Sequence, residues 1–546
     1  MSGGLAQALN GLGMAYATVQ VPMLVGLMRS RAAIHHYILS PLVVAPLMAI
    51  AAVGNAMSSS LLAHIGFSSN GPVQAGIALG IGAWLGYAGG RSAGPSAFSD
   101  RKYQRGTQIT DAPTARKSPS RRRAITLAGI EVPQGDETKH FKLIGTTGTG
   151  KSTAIQEILS AALERGDRAV IADPDGGYMR RFYSADRGDV VLNPFDSRSL
   201  KWDLFGEIKS PYDVEQLARS LIPDNDGQDK SWRSYARTFF TAVTRQAHEA
   251  GIKDAAELYR LLVVAKSDEL RVLVDGTPAQ PFLDEHNSRM FDSIRSVTSS
   301  AVGSLEYIGR QQAPDFSVRA WVDDKKPGVL FMPYKAGQIA ALSSTISGWM
   351  RLAIFEAMNR EEPDEKSRPL WFVVDELDAL GQIDGLKDAL ARLRKFDGRC
   401  VLGFQSVAQV STTYGHGDAH TIIENCGNTL ILRCSASEGG GTARFASQLI
   451  GEREVLRTTV SRSRRLTEVL GSVSHNRHFS VESAVLPSQV EQLPDLTGYL
   501  KYASAPEWQK VRLEARKAWS VSAGRARPTA QEAAQTLVRG TSREYE

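Results

Sequence analysis

Cysteine is scarce in this sequence, and the few that occur show no pattern. Three cysteines are found in 546 residues. Their spacing fits neither a disulfide framework nor a zinc site, which excludes a small disulfide-stapled scaffold and favours a reducing compartment. We therefore expect Cys400, Cys426 and Cys434 to be small buried side chains. The chain is longer than one hydrophobic core usually organises, so two or three domains are expected.

Charge is also missing from one long stretch near the start of the chain. No Asp, Glu, Lys or Arg occurs between Ala32 and Gly90. Within this stretch residues 37–57 and 73–90 are apolar, and each is close to the length of a transmembrane helix. We predict a membrane-spanning helical hairpin whose short polar connection covers residues 58–72. A buried helical pair of a soluble domain is the alternative, although such a domain rarely contains so long an uncharged run.

Basic residues flank the uncharged stretch on both sides. Arg29 and Arg31 precede it, and Arg91 is followed by a basic, Gly-, Ser- and Pro-rich segment over residues 92–123 that we interpret as a linker. Because positive residues stay on the cytoplasmic side of a membrane, both ends of the hairpin are expected inside. Residues 1–28 are uncharged but less hydrophobic, so they could form a third span or an interfacial helix. The predicted membrane region covers residues 1–91.

A phosphate-binding motif is the clearest signal in the sequence. Residues 141–144 are predicted to form a short apolar strand, and residues 145–152 match G-x-x-x-x-G-K-[ST]. The helix predicted over residues 154–165 points its N-terminus at the same phosphates as the loop. Lys151 would place its positive charge beside the β- and γ-phosphates of ATP, and the Ser152 hydroxyl would ligate Mg²⁺. The predicted nucleotide-binding residues are Gly145, Thr146, Thr147, Gly148, Thr149, Gly150, Lys151, Ser152 and Thr153.

A second apolar strand with acidic residues at its end completes the expected nucleotide site. Residues 370–374 are uninterrupted apolar positions, and Asp375 and Glu376 follow them. Asp375 would hold Mg²⁺ through water, and Glu376 would polarise the attacking water. Further apolar strands alternate with helices, which implies a parallel α/β sheet with both faces covered. The other predicted strands include residues 168–173, 190–193, 329–333 and 400–405.

Two more side chains are candidates for completing the site. Gln405 ends the strand predicted beside that of Asp375, where it could contact the γ-phosphate, or it could cap the next helix. A nucleotide held between subunits also needs a cation supplied by the neighbour. Arg394 is the first candidate and Arg392 the second, at a basic helix end that also suits the helix dipole. Arg433 is a lesser candidate.

The middle of the chain has a different pattern. Residues 205–320 are predicted to form helices without strands, which indicates an all-α domain inserted into the α/β domain. The α/β domain would then comprise residues 124–204 and 321–515, followed by a tail over residues 516–546. The inserted helix that begins at Lys230 interleaves basic and aromatic residues. Such residues can stack bases and bind phosphates, although a buried aromatic face explains the pattern more simply.

In their order and spacing, these motifs resemble those of the TrwB/TraD-type coupling proteins of conjugative type IV secretion systems. The resemblance extends from about residue 130 to residue 515, and the N-terminal hairpin matches the inner-membrane anchor of that family. The matching segments are Gly145–Ser152, Ala172–Gly176, Val191–Asp196, Trp232 with Tyr235, Val373–Leu377, Gly403–Ser406 and Leu493–Tyr499.

The resemblance implies properties that the residues alone do not show. Such proteins are similar to RecA-like ring motors, form homo-hexamers at the bacterial inner membrane, bind DNA without sequence preference and hydrolyse ATP. They are multi-pass membrane proteins with a cytoplasmic motor, and they deliver a relaxase–DNA complex to the secretion channel. Their all-α domain is where relaxase and accessory proteins dock. By position, the nucleotide motifs are matched by Lys151, Ser152, Asp375, Glu376 and Gln405, and the arginine finger by Arg394.

Two other functions share parts of this pattern. A DNA partition translocase of the FtsK/HerA kind would have the same motor core, but the all-α insertion and the small hairpin favour the conjugative interpretation. In a docking scaffold, nucleotide would only set the conformation and no DNA would be pumped. Such a scaffold would need no catalytic carboxylate, so Lys151 and Glu376 argue against it. ATPase activity with and without single-stranded DNA separates a motor from a scaffold.

Overall fold

The structure of the chain is a computed structural model, and it describes only part of the sequence. The described residues are 2–30, 32, 34–64, 72–92, 101–111, 124–224, 230–360, 368–436, 441–463 and 472–514. The chain divides into two compact units, residues 1–104 with 454–480 and residues 105–453 with 481–546. The predicted tail over residues 516–546, residues 65–71 of the predicted loop, and residues 93–100 and 112–123 of the predicted linker lie outside the described residues.

The helices and strands are numbered in chain order. The helices are α1 Ser2–Arg29, α2 Ile34–His64, α3 Pro72–Ser92, α4 Lys151–Arg165, α5 Gly177–Phe182, α6 Asp213–Leu221, α7 Lys230–Glu249, α8 Ala255–Tyr259, α9 Ser267–Leu273, α10 Ser288–Val302, α11 Ser304–Gly309, α12 Val318–Asp323, α13 Ile339–Met358, α14 Leu386–Leu393, α15 Val407–Tyr414, α16 His416–Asn425, α17 Gly441–Ile450 and α18 Pro487–Glu491. The strands are β1 Arg101–Gly106, β2 Ile109–Asp111, β3 Thr126–Leu127, β4 Ile130–Glu131, β5 Phe141–Ile144, β6 Arg168–Pro174, β7 Val190–Val191, β8 Lys201–Trp202, β9 Asp315–Phe316, β10 Val329–Tyr334, β11 Leu370–Val374, β12 Gly398–Phe404, β13 Asn428–Ile431, β14 Glu452–Ser463, β15 Ser472–Ser483, β16 Thr497–Lys501 and β17 Trp508–Arg512.

The N-terminal unit contains three helices, α1, α2 and α3. Two stretches are long and apolar enough to cross a membrane, Asn10–Arg29 in α1 and Ile34–Ser58 in α2. The predicted span over residues 73–90 falls within α3, which is not among the candidates found in the described residues. The predicted span over residues 37–57 lies within α2, and which of the three helices cross a membrane stays a prediction.

Helices α1 and α3 pack backbone against backbone and run in the same direction. A Cβ added to Gly86 would lie 2.1 Å from the carbonyl oxygen of Val19, and one added to Gly90 would lie 2.2 Å from that of Met23. Since both pairs of positions advance by four residues, the two helices are parallel. Glycines at such contacts let helices approach closely, which is how transmembrane helices commonly associate.

The second unit is built on a ten-stranded sheet. The strand order is β2-β17-β16-β13-β5-β12-β11-β6-β10-β7, and every neighbouring pair from β13 to β7 is parallel. Alternate residues of each strand enter opposite cores: Ala169 and Ile171 pack with α4, whereas Val170 and Ala172 face the cluster that contains α13. The predicted parallel α/β sheet with two covered faces is confirmed. Cys400, Cys426 and Cys434 are buried thiols, as expected.

The segment between β8 and β10 is mainly helical, as predicted. One short strand, β9, lies within it and pairs in parallel with β8. The prediction that this segment contains no strand is therefore wrong for these two residues. Phe239 and Phe240 of α7 are buried in the same core cluster as residues of the large sheet, which confirms the simpler explanation of that helix's aromatic face. The boundaries drawn for the inserted domain stay a prediction.

Candidate functional site

The phosphate-binding loop joins β5 to α4 at the carboxyl edge of the parallel sheet. Gly148 and Gly150 adopt φ angles of 77° and 117°, which cost energy for other residues, so the chain can turn tightly before α4 begins. The first N–H groups of α4 have no carbonyl partner within the helix, which suits this end to an anion. Lys151 Nζ donates hydrogen bonds to the carbonyl oxygens of Gly145 at 2.5 Å and Thr146 at 3.3 Å.

Polar residues from two other segments meet this loop. Strand β12 lies between β5 and β11, so the carboxyl ends of all three strands share one edge. Ser152 Oγ donates a hydrogen bond of 2.6 Å to Asp375 Oδ2. Gln405 Nε2 donates to Glu376 Oε1 at 2.6 Å, and Gln405 Oε1 accepts from Thr147 Oγ1 at 3.1 Å. The structure thus brings together residues that the sequence placed in three separate motifs.

These residues surround an open pocket at the sheet edge. Its volume is about 190 Å³. The lining residues are Thr146, Thr147, Gly148, Gly150, Lys151, Ser152, Thr153, Asp375, Glu376, Gln405 and Leu496. Of the nine predicted nucleotide-binding residues, Gly145 and Thr149 are outside this lining. Thr149 instead shapes the loop, because its hydroxyl donates to the carbonyl oxygen of Thr146 at 2.7 Å.

The electrostatics of the pocket prepare Glu376 to accept a proton. Burial raises the pKa of Glu376, and the negative charge of Asp375 adds to this effect. The hydrogen bond from Gln405 acts in the opposite direction. Burial lowers the pKa of Lys151, while the neighbouring carboxylates raise it. A carboxylate with a raised pKa is a stronger base, which suits Glu376 for activating water.

The acidic end of β11 also offers an oxygen to a cation. Asp375 Oδ1 is buried, and it has no hydrogen-bond partner among the described residues. Across the same residues no group of three or more His, Cys, Asp or Glu side chains is suited to a metal. Mg²⁺ is usually held by one or two protein ligands, with waters and substrate phosphates completing its shell. The hydroxyl of Ser152 and the carboxylate of Asp375 fit that requirement.

Two residues of the site were not predicted from the sequence. The hydroxyl of Tyr178 donates a hydrogen bond of 2.7 Å to Asp375 Oδ2. The N–H of Leu496 donates to the carbonyl oxygen of Thr149 at 2.9 Å, and its side chain lies over Gly150. No local motif marks Tyr178, because the contact joins residues 197 positions apart. Leu496 lies in the segment Leu493–Tyr499 that matches the coupling proteins, and this match is the only sequence signal that could have indicated its place in the site.

The candidate arginines lie in different places. Arg394 and Arg392 are exposed residues that precede β12, whereas Gln405 follows it, so they lie at the opposite end of that strand from the pocket. Neither joins the nucleotide pocket of its own chain. Arg433 is nearer, since its carbonyl oxygen accepts the N–H of Thr146 at 2.9 Å. Its guanidinium forms an ion pair of 2.7 Å with Asp495.

Comparison with known proteins gives one family. The family model described as "Type IV secretion-system coupling protein DNA-binding domain" matches residues 124–514. The coupling protein TraD of Escherichia coli (strain K12) is 30% identical over 412 residues, which cover 74% of this chain and 57% of TraD. The coupling protein VirD4 of Bartonella henselae is 30% identical over 255 residues, which cover 45% of this chain and 38% of VirD4. The chain therefore spans less than two thirds of either relative.

Solved structures of the conjugative coupling protein TrwB are also similar. The unbound form of TrwBdeltaN70 is 30% identical with a TM-score of 0.68, and the match covers 76% of this chain and 94% of that one. TrwB in complex with the ATP analogue ADPNP is 29% identical with a TM-score of 0.68, covering 78% and 98%. TrwB in complex with ADP and Mg²⁺ is 30% identical with a TM-score of 0.67, covering 77% and 96%. These matches confirm the predicted RecA-like α/β fold.

Proposed function

The chain belongs to the family of type IV secretion-system coupling proteins, and from this we propose that it is an ATP-driven DNA translocase. In this proposal it couples a relaxase–DNA substrate to a secretion channel during conjugation. The observation that carries the proposal is the meeting of three motifs at one edge of the sheet. The residues concerned are Lys151, Ser152, Asp375, Glu376 and Gln405. The solved TrwB complexes with ADPNP and with ADP and Mg²⁺ support ATP and Mg²⁺ as the ligands.

Each residue has a role that follows from its position. The N–H groups of the loop and Lys151 bind the β- and γ-phosphates, which fixes the substrate against the sheet edge. Ser152 and Asp375 hold Mg²⁺, which when bound neutralises phosphate charge. Glu376 accepts a proton from the attacking water. Gln405 holds Glu376 through its amide, so it is placed to respond when the γ-phosphate leaves.

We assign the arginine finger to Arg394, acting on the nucleotide of a neighbouring copy. An exposed arginine at the end of β12 opposite the pocket cannot serve its own site, yet it is available to another subunit. This arrangement supports a homo-hexameric ring, in which each nucleotide lies between two copies. Arg392 is the second candidate, because it is exposed on the same helix end.

DNA is the proposed cargo, in single- or double-stranded form and without sequence preference. The family model is described as a DNA-binding domain, which supports this assignment. On α7, Lys230 and Tyr235 are exposed and Trp232 is partly buried, with the Trp232 and Tyr235 rings edge to face at 5.9 Å. Exposed aromatic and basic side chains of this kind can contact bases and phosphates. Relaxase, accessory proteins and channel components are the proposed protein partners.

The N-terminal helices are the proposed anchor in the bacterial inner membrane. Arg29 Nη1 and Arg91 Nη1 both contact the hydroxyl of Tyr87, at 3.2 and 3.4 Å, so these arginines lie at one end of the helices. That end is assigned to the cytoplasm, on the same side as the motor. Because α1 and α3 are parallel and in backbone contact, a crossing by α1 and α2 implies that α3 returns across the membrane. The anchor is then a multi-pass bundle.

The test is the ATPase activity of the detergent-solubilised chain, with and without single-stranded DNA. A DNA translocase should hydrolyse ATP faster when DNA is present, whereas a nucleotide-switched docking scaffold should bind ATP without DNA-stimulated turnover. Mass measurement in the presence of ATP and DNA should then give six copies. A partition translocase of the FtsK/HerA kind would pass both tests, and relaxase binding to the purified chain separates it from a coupling protein.

A further inference from the structure

Tyr178 lies beneath the nucleotide pocket without lining it. It is the second residue of α5, which follows β6, and β6 pairs with β11 next to the acidic motif. Asp173 fixes the start of α5: its Oδ1 accepts the N–H of Tyr178 at 3.0 Å and its Oδ2 that of Met179 at 2.7 Å. Tyr178 is only 2% exposed, so its side chain is enclosed by the surrounding core.

The hydroxyl of Tyr178 meets Asp375 at the oxygen that Ser152 also uses. Oδ2 of Asp375 accepts from Tyr178 at 2.7 Å and from Ser152 at 2.6 Å. Oδ1 is left buried and has no hydrogen-bond partner in the described part of the chain. The backbone of Asp375 is also constrained, since a Cβ added to Gly403 would lie 2.0 Å from its carbonyl oxygen. The carboxylate is therefore held both by the hydroxyl groups on its Oδ2 and by the close packing of its backbone against Gly403.

We propose that Tyr178 is a positioning residue for the magnesium site. Its hydroxyl holds Asp375 Oδ2, which keeps Oδ1 available for the magnesium-bound water. Partners that orient a metal-binding carboxylate typically change metal affinity by about 10- to 100-fold when they are removed. This inference rests on the proposed function, because it assumes that the pocket binds Mg²⁺ with a nucleotide.

A purely structural role is the competing explanation. The ring of Tyr178 packs in the core between α4 and the sheet, and a buried hydroxyl needs an acceptor whatever its function. A structural role predicts lower stability without a specific effect on Mg²⁺. Tyr178→Phe separates the two, because it retains the ring and removes only the hydroxyl.

The experiment compares Tyr178→Phe with Tyr183→Phe in the full chain. Tyr183 follows α5, its ring packs against Phe331 at 6.3 Å, and its hydroxyl has no hydrogen bond among those in the described residues. Binding of a fluorescent, non-hydrolysable ATP analogue is measured while Mg²⁺ is titrated, and again in the presence of EDTA. Tyr178→Phe should need about 10-fold more Mg²⁺ for half-maximal enhancement of binding, with unchanged affinity in EDTA. Tyr183→Phe should match the parent chain.

A double variant shows whether Tyr178 acts through Asp375. Adding Tyr178→Phe to Asp375→Ala should cause no further loss of magnesium dependence, because the group that Tyr178 positions is already gone. The proposal is overturned if Tyr178→Phe titrates like the parent chain, if it loses equal affinity with and without Mg²⁺, or if the two losses add. Failure of the parent chain to bind the analogue at all would instead reject the proposed function.

Discussion

The side-chain amide of Gln405 donates a 2.6 Å hydrogen bond to Oε1 of Glu376. This bond lowers the pKa of Glu376, whereas burial and the charge of Asp375 raise it. In Gln405→Ala the donor is lost, so the pKa of Glu376 should rise further. Because Glu376 must be ionised to accept a proton, the acidic limb of the pH–rate profile should move to higher pH. On that acidic limb kcat should therefore be lower in Gln405→Ala than in the parent chain at the same pH.

Steady-state ATP hydrolysis across the pH range tests this shift. Gln409→Ala is the matched control, since Gln409 is an exposed residue on α15, the helix that follows Gln405. That control should retain the parent profile. An acidic limb that stays in place in Gln405→Ala would show that the contact has no influence on the reacting carboxylate.

Lys151→Ala should abolish ATP hydrolysis. The buried ammonium is the cation that the loop offers to the β- and γ-phosphates, and removing such a clamp should lower kcat/KM by at least about 100-fold. Nucleotide affinity should fall as well, because the charge acts on bound substrate. Lys510→Ala, at an exposed position on β17, should behave like the parent chain. Normal turnover in Lys151→Ala would reject the assignment of the loop.

Glu376→Gln should separate ATP binding from ATP cleavage. The amide keeps the size of the side chain but cannot accept the proton of the attacking water, so hydrolysis should fall by about 100- to 10,000-fold. Binding of ATP should be almost unchanged, since Glu376 does not contact the loop through a hydrogen bond among the described residues. Glu164→Gln, at an exposed position of α4, is the control for charge removal. Parental rates in Glu376→Gln would remove Glu376 from the mechanism.

The parts of the fold that the sequence predicts best are those with local signals. The phosphate-binding loop and the Asp375–Glu376 pair lie within single short motifs, and each was placed at the correct strand end. Contacts between distant segments leave no such trace, which is why the bond between Tyr178 and Asp375 was missed. Residues 451–465 are mainly polar and basic and lack a regular apolar alternation, so β14 has no strong local signal for a strand. For α1 the sequence leaves a third span and an interfacial helix both open, because residues 1–28 are uncharged but less hydrophobic than the segments that follow.

The stability of the motor unit should depend on pH through His140. This side chain is buried: its Nδ1 accepts the N–H of Cys400 at 3.1 Å, and its Nε2 lies 2.8 Å from the carbonyl oxygen of Leu390. Burial, together with the positive charges of Arg394 and Arg399, lowers the pKa of His140 to about 4. The unfolded chain has an ordinary pKa of about 6.5 and so binds more protons below that pH. The contribution of neutral His140 to the free energy of unfolding should be fully present above pH 6.5. It should be lost, by about 3 kcal/mol, as the pH falls to about 4.

Urea unfolding at several pH values, followed by tryptophan fluorescence, measures this decline. His140→Asn should show a flatter dependence over the same range, because it removes the buried group that titrates. His286→Asn, at an exposed histidine of the helical segment, should retain the slope of the parent chain. An equal slope in His140→Asn and the parent would mean that other groups govern the acid response.

The direction of α1 predicts which side of the membrane its start occupies. Val19 and Met23 of α1 contact Gly86 and Gly90 of α3 in parallel register, and the arginine-bearing ends of both helices lie together. If that end is cytoplasmic, Asn10 at the start of the apolar stretch should lie on the outer side. Asn10→Cys should then react with a membrane-impermeant maleimide in intact spheroplasts. Ser92→Cys, at the end of α3 that carries Arg91, should react only after lysis. If Asn10→Cys is also labelled only after lysis, α1 does not cross the membrane.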